Sequence, residues 1–346
     1  MKKFMSATGV VFACVAPAMV ANAAGSLNLY TWTGYIAPDL IAQFQKQTGV
    51  KINIDNYDSE ETLLAKLKQG GAGYDLAVSG QEMVPVLARE GLIQKIDATN
   101  IPGYNNIDRR FRKPQWDPNG DYSVPYVWGT MSFAVDTGVY SGDINSWKVL
   151  FDPPAPLRGK LNMFDSANDA IAVAAFYVGV PFCSEDPKQM QKVLDVLKQQ
   201  KPFVKTYSSK AGAIRESMVS GEIAMSAIWS GTAQRATDLK HSIRYAYPKE
   251  GSIAWVDNVV MPKGAPNPEN AKKFIAFLLT PKAAAMNTNF LKYQNAIDGS
   301  DAYVAADVKG APAMNPPAGT KLVFEQQACS VAAIRLHDRI WTELLK

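Results

Sequence analysis

Histidine and cysteine are almost missing from this chain. Two histidines and three cysteines in 346 residues leave too few imidazoles and thiolates to build a zinc or iron–sulfur centre. Charge of one sign is scarce as well. The formal net charge is +4, of which Lys2 and Lys3 lie at the extreme N-terminus, and no basic tract of five or more residues occurs. Nucleic acid, which is gripped by clustered Lys and Arg, is therefore not an expected partner. No Gly-x-Gly-x-x-Gly follows the first apolar strand and no phosphate-loop pattern occurs anywhere, so nucleotide binding has no support. Ser79-Gly80 and Ser230-Gly231 lack the first glycine of a nucleophile elbow. His241 and His337 fall in polar or helical contexts that suggest surface, which leaves a Ser-His-Asp triad without a base. Neither an enzyme, nor a metal, nor a cofactor is expected.

What is present reads as a folded protein. Hydrophobic residues make up 47% and charged residues 20%, outside the disordered range. The length suits two domains at roughly 150 residues each. Residues 1–23 read as an export signal: Lys2 and Lys3 form a positive start, Val10 to Val20 an apolar stretch, and Ala21-Asn22-Ala23 a cleavage site. The stretch is too short to span a bilayer, which takes about 20 apolar residues. A lipoprotein reading through Val11-Phe12-Ala13-Cys14 is disfavoured by Phe12 and by the better site downstream. The mature protein is expected in the periplasm, retaining Cys183 and Cys329. An even pair in an oxidising compartment suits a disulfide. Two buried thiols, far apart in sequence, are the alternative.

The first hundred residues alternate strand and helix. Leu27 to Tyr30 is apolar, Pro38 opens a helix carrying Leu40, Ile41 and Phe44, and Gly49 closes it. Val50, Ile52 and Ile54 alternate as in a strand, Asp58 with Glu61 resembles a capping box, and Leu63, Leu64 and Leu67 share a helical face. Tyr74 to Val78 reads as a third strand. This βαβαβ order predicts a parallel sheet. A second α/β set begins near Ser132, and Ala328 to Leu345 reads as a closing helix with Ile334, Ile340 and Leu344 inward.

The suggestive feature is a set of aromatics at predicted strand ends near carboxylates. Trp32-Thr33-Gly34-Tyr35 follows the first strand, Trp229-Ser230-Gly231 another, Trp255-Val256-Asp257 ends a third, and Asp169 opens a helix. Ligands in open α/β sheets sit outside the carboxyl ends of strands. Ring faces attract a cation and carboxylates pair its charge. Any one tryptophan is better read as core; the group together is harder to dismiss.

At these residues the chain resembles the periplasmic spermidine- and putrescine-binding proteins of ABC importers. The matching stretches are Leu29 to Tyr35, Tyr74-Asp75-Leu76, Asp121 to Gly129, Ile228 to Gly231, Pro248 to Gly251 and Trp255-Val256-Asp257. The resemblance runs from about Leu27 to the C-terminus. It implies an α/β, two-lobed periplasmic binding protein fold with an interdomain ligand cleft, the lobes being 26–131 plus 257–305 and 132–256 plus 306–346. It implies that Trp32, Thr33, Tyr35, Trp229 and Trp255 pack on a small organic cation. It implies that Asp257 and Asp169 pair its amino groups and that Tyr293 and Gln327 complete the cleft. It implies an ABC permease as partner and a monomer as the working unit; a ligand sensor built on the same lobes is a third possibility.

Departures from the family pattern bear on the ligand. Gly34, Ser166 and Thr232 stand where members often carry a carboxylate, and the usual serine aligns with Gly80. With Asp169 and Asp257 as the carboxylates left, a diamine such as putrescine fits better than spermidine. Arg235, on the turn after Trp229, offers a second reading, an ω-amino acid such as 4-aminobutyrate with its carboxylate on that guanidinium.

Overall fold

The computed structural model describes residues 25–70, 73–324 and 329–346; the export signal and Gln327 lie outside the described residues. Twelve strands are β1 (Ser26–Trp32), β2 (Lys51–Tyr57), β3 (Leu76–Gly80), β4 (Ile93–Gln94), β5 (Ser123–Asp136), β6 (Leu161–Met163), β7 (Val204–Tyr207), β8 (Met225–Trp229), β9 (Ile243–Tyr245), β10 (Ser252–Pro262), β11 (Gln294–Asn295) and β12 (Leu322–Phe324). The main ladder runs β2-β1-β3-β10-β5-β8-β6-β7. β1, β2 and β3 are mutually parallel, as are β6, β7 and β8; β10 and β5 run antiparallel to their neighbours between these two sets.

β5 and β10 hold the two halves together. All 14 residues of β5 are buried, as expected of a strand covered on both faces. β5 pairs with β10 from Ser123 to Met131, then with β8 from Met131 to Val135. β10 pairs with β3 over Asp257–Val260 and with β12 over Ser252–Ala254. The β5–β10 register slips at Asp257/Asn258, opposite Val127 and Pro125, leaving Tyr126 as the extra residue. Pro125 has no N–H for a ladder, so a bulge is where a central strand tolerates it. Bulges re-aim side chains, and this one lies beside Asp257.

Two main cores form on either side. One gathers Leu27, Leu40, Phe44, Leu63, Leu76, Val259, Phe274 and Ile275. The other gathers Phe133, Trp147, Phe151, Leu161, Ile171, Leu194, Met225 and Leu344. Trp229 and Trp255 are the partly buried residues that pack against both. Gly49 ends the first helix in the left-handed region (φ 72°), with its N–H on the Gln45 carbonyl at 2.8 Å. Cys183 and Cys329 are joined, S–S 1.99 Å, tying the turn after the helix Ala167–Val178 to the start of the closing helix.

Several local expectations need correction. The second helix is capped by Ser59, whose hydroxyl accepts from the Thr62 N–H, so the cap falls one residue after Asp58. The third strand starts at Leu76; the Tyr74 ring leaves the ladder to stack on Tyr30 at 4.5 Å. The closing helix is Val331–Leu345, and Ile334 is 48% exposed because only the Ala333–His337–Ile340–Leu344 stripe meets the core. His337 is accordingly buried, its Nε2 2.8 Å from the Phe182 carbonyl, and desolvation lowers its pKa. Trp255 to Asp257 lie mid-strand rather than at a strand end. Among the described residues no helix is long and apolar enough to cross a membrane.

Candidate functional site

β1 and β3 run toward the middle of β5 and β10 from one half of the sheet and β8 runs toward it from the other, so their carboxyl ends face each other there, and the segments just past those ends build the site. The turn after β1 carries Thr33 and Tyr35. The Tyr35 hydroxyl donates to Asp257 Oδ2, which joins that turn to the bulge of β10. Tyr126, the bulged residue, donates to the Tyr35 carbonyl at 3.2 Å and accepts from Asn287 Nδ2 at 2.8 Å. Asn287 Oδ1 in turn takes the Ala37 N–H at 2.9 Å. The turn is thus held before any ligand arrives.

Asp257 is 8% exposed. Burial raises its pKa from 3.8 to about 7; the Tyr35 hydrogen bond opposes this and the Glu82 charge adds to it. A carboxyl so placed is short of positive charge. Trp255, two residues earlier on the same face of β10, meets Tyr293 edge-on at 5.0 Å. Both rings fit because residue 129, across the ladder from Trp255, is glycine: a Cβ there would stand 2.7 Å from Trp255 and 3.1 Å from Tyr293. Gly231 does the same on the far side, since a Cβ there would stand 2.5 Å from the Tyr293 ring. The Tyr293 hydroxyl lies 3.1 Å from Thr232 Oγ1.

Trp229 ends β8 half-buried, tilted against Phe164 at 4.7 Å. Asp169 occupies the first turn of the helix Ala167–Val178, where the Ser166 hydroxyl accepts its N–H at 3.3 Å. A carboxylate there faces the positive end of the helix. Even so, burial first and the Glu82 charge second raise it to about 7. Trp32 packs on Tyr57 at 4.4 Å. Among the described residues the indole N–H groups of Trp32 and Trp255 are buried without a hydrogen-bond acceptor.

Two residues sit less centrally. Thr33 is exposed, and its hydroxyl donates to Asp58 Oδ1 at 3.3 Å. Arg235 is half-buried, donating from one terminal nitrogen to Thr232 Oγ1 at 3.3 Å, and its charge opposes the raised pKa of Tyr293. It therefore reaches the Tyr293 wall rather than open solvent.

Sequence reading missed Glu60 and Glu82. Glu60 is 9% exposed at the start of the second helix, and its Oε1 accepts the Gly80 N–H at 2.6 Å. Desolvation and then the Glu82 charge raise its pKa well above the ordinary value. Glu82 is half-buried just past the end of β3 and is raised chiefly by burial. The strand-end rule that singled out Trp32 and Trp229 applies equally to Gly80-Gln81-Glu82. Gln81 Oε1 accepts the Val256 N–H at 2.5 Å, pinning that turn to β10. Among the described residues no group of three or more His, Cys, Asp or Glu could hold a metal ion.

Comparison with known proteins places the chain in a family and a fold. The family profile of bacterial extracellular solute-binding proteins matches residues 39–316. The spermidine/putrescine-binding periplasmic protein of Escherichia coli K12 is 32% identical over 321 residues, covering 92% of this chain and 91% of that protein. The putrescine/agmatine-binding protein of Pseudomonas aeruginosa is 28% identical over 338 residues, 92% and 91% of the two chains. Among solved structures, a putative spermidine/putrescine ABC transporter from Listeria monocytogenes superposes with a TM-score of 0.84 at 26% identity, covering 92% of this chain and 98% of that one.

Proposed function

The chain belongs to the bacterial extracellular solute-binding proteins, and from that membership we propose that it captures a polyamine in the periplasm for an ABC importer. One observation carries this reading. Among the described residues Asp257 is a buried carboxylate that pairs with no cation of the protein; its neighbours are the Tyr35 hydroxyl and the rings of Trp255 and Tyr293. A bound ammonium supplies the missing charge, and the rings present faces to its methylene chain. The named ligands of the relatives, spermidine, putrescine and agmatine, share that chemistry. The family is one of transport proteins rather than an enzyme class.

The lobes are taken as 26–131 with 257–305 and 132–256 with 306–346. Membership of the two cores supports this division except at its borders, where Met131 packs in the second core and Val256 in the first, and in the last segment. Phe324 packs near Phe111 and Trp128 of the first core, so the last segment crosses back over the cleft. Ligand joins groups from both halves, which gives it the leverage to close them. The chain acts as a monomer that docks a permease when closed, after its export signal is cleaved near Ala23.

A second reading rests on Arg235. Its guanidinium touches Thr232 beside Tyr293, close enough to the site to clamp a carboxylate of an ω-amino acid. A thermal-shift panel of putrescine, cadaverine, spermidine, agmatine and 4-aminobutyrate separates the two. A ligand selective for the folded state raises the melting temperature by mass action. We expect shifts from the amines and none from 4-aminobutyrate, with Arg235→Ala neutral and Asp169→Asn costing about 2–5 kcal/mol of amine binding. A shift from 4-aminobutyrate alone, lost in Arg235→Ala, would overturn the polyamine reading.

A further inference from the structure

The turn Gly80-Gln81-Glu82 carries an acidic group that the residues matched to the polyamine binders do not include. We infer that Glu82 is the central carboxylate of the cleft, lying between Asp257 and Asp169, and that it selects a triamine over a diamine by pairing the inner ammonium. This deepens the polyamine reading and rests on it.

The geometry begins at Gly80. Its backbone pairs directly with Asp257 across the β3–β10 ladder, and residues so paired lie about 5 Å apart. A Cβ placed on Gly80 would stand 2.6 and 2.9 Å from the two Glu82 carboxylate oxygens. The Glu82 carboxylate therefore fills the space that a side chain at position 80 would take. Gly80 also gives its N–H to Glu60 Oε1 at 2.6 Å. A serine at this position would push the acid out, so the glycine and the glutamate belong together. Gly80 is not in the left-handed region, hence backbone conformation does not explain why it is glycine; the close approach does.

The electrostatics place Glu82 along the cleft. Its charge raises both Asp257 and Asp169, whereas neither of those two figures among the causes that raise the other. Glu82 is thus within electrostatic reach of both carboxyl groups. The acids also do not converge as a metal site would. On the placement inferred, the cleft acids follow one another as Asp257, Glu82 and Asp169. A diamine neutralises the two ends and leaves Glu82 without a partner in a desolvated cleft, which is unfavourable. A triamine with an inner secondary ammonium pairs all three. On this inference a third carboxylate favours a triamine over the diamine that Asp169 and Asp257 alone would suit.

The test is titration calorimetry of spermidine and putrescine against wild type, Glu82→Gln and Gly80→Ala. Each protein is first freed of bound ligand by unfolding and refolding. Wild type should bind spermidine more tightly than putrescine. Glu82→Gln should lose about 30-fold or more in spermidine affinity, the lower bound for truncating a buried charge pair, while putrescine changes little or improves. Gly80→Ala, which leaves the glutamate in place but displaces its carboxylate, should reproduce the same selective loss. An equal loss for both amines, or no loss for spermidine in either variant, overturns the assignment of Glu82. If wild type binds neither amine, the polyamine reading itself fails, and this inference falls with it.

Discussion

Asp257→Asn should abolish amine binding and, at the same time, stabilise the ligand-free protein. The argument starts from the carboxyl, carried by burial from 3.8 to about 7. At ~1.4 kcal/mol per pH unit, ionising it in the folded state costs about 4 kcal/mol. The folded state binds this proton more tightly than the unfolded chain does. Stability is therefore full below pH 3.8, falls as pH rises from about 4 to 7, and stays low above that. Asparagine keeps an oxygen to accept from Tyr35 and carries no charge, so it removes the cost. For a chain of this size, about 4 kcal/mol corresponds to roughly 6 °C in melting temperature. The assay is scanning fluorimetry of refolded, ligand-free wild type and variant from pH 5 to 9, followed by calorimetry with spermidine and putrescine. The variant should melt higher at pH 8 and show a shallower decline with pH, because Asp169, raised in the same sense, still titrates in both. A variant that melts lower than wild type at pH 8, or that retains amine affinity, would refute the reasoning.

Trp255→Ala should weaken amine binding by about 0.5–2 kcal/mol, the range for one ring face on a cation, with an unchanged circular dichroism spectrum; unaltered affinity in a folded variant would make Trp255 a packing residue only. Replacing both Cys183 and Cys329 by alanine opens a loop of 146 residues and should cost about 2–5 kcal/mol of unfolding free energy. Urea titration measures it, and reductant should lower wild type to the level of the variant while leaving the variant unmoved. No difference between oxidised wild type and the double variant would show that the bond adds no stability.

The first three strands and the helices between them were legible because their apolar spacing is regular and their ends carry Pro38 and Gly49. The two long central strands were not. Every residue of Ser123–Asp136 is buried, so the alternation that marks a half-exposed strand is absent, and Pro125 interrupts the run. The bulge that aims Asp257 arises from pairing between strands more than a hundred residues apart, which no local pattern records. Trp32, Tyr35, Trp229 and Trp255 could be read from their positions at strand ends or beside a carboxylate. Glu60 could not: it looks like a solvated residue at a helix start, and only the sheet folds it onto Gly80; Glu82, just past the end of a strand, was within reach of the same strand-end rule. His337 and Ile334 exchanged their expected places because the closing helix presents one narrow stripe to the core.

The position of β10 has a consequence for how the chain reaches its native state. This strand lies between β3 and β5, yet it comes from residues 252–262. Until it is available, β3 and β5 each present an unpaired edge, and neither half of the sheet can close. Truncation before residue 252 should leave two sticky edges rather than one independently folding lobe. The contacts that complete the sheet are distant in sequence, so acquisition of structure is expected to be late, slow and cooperative.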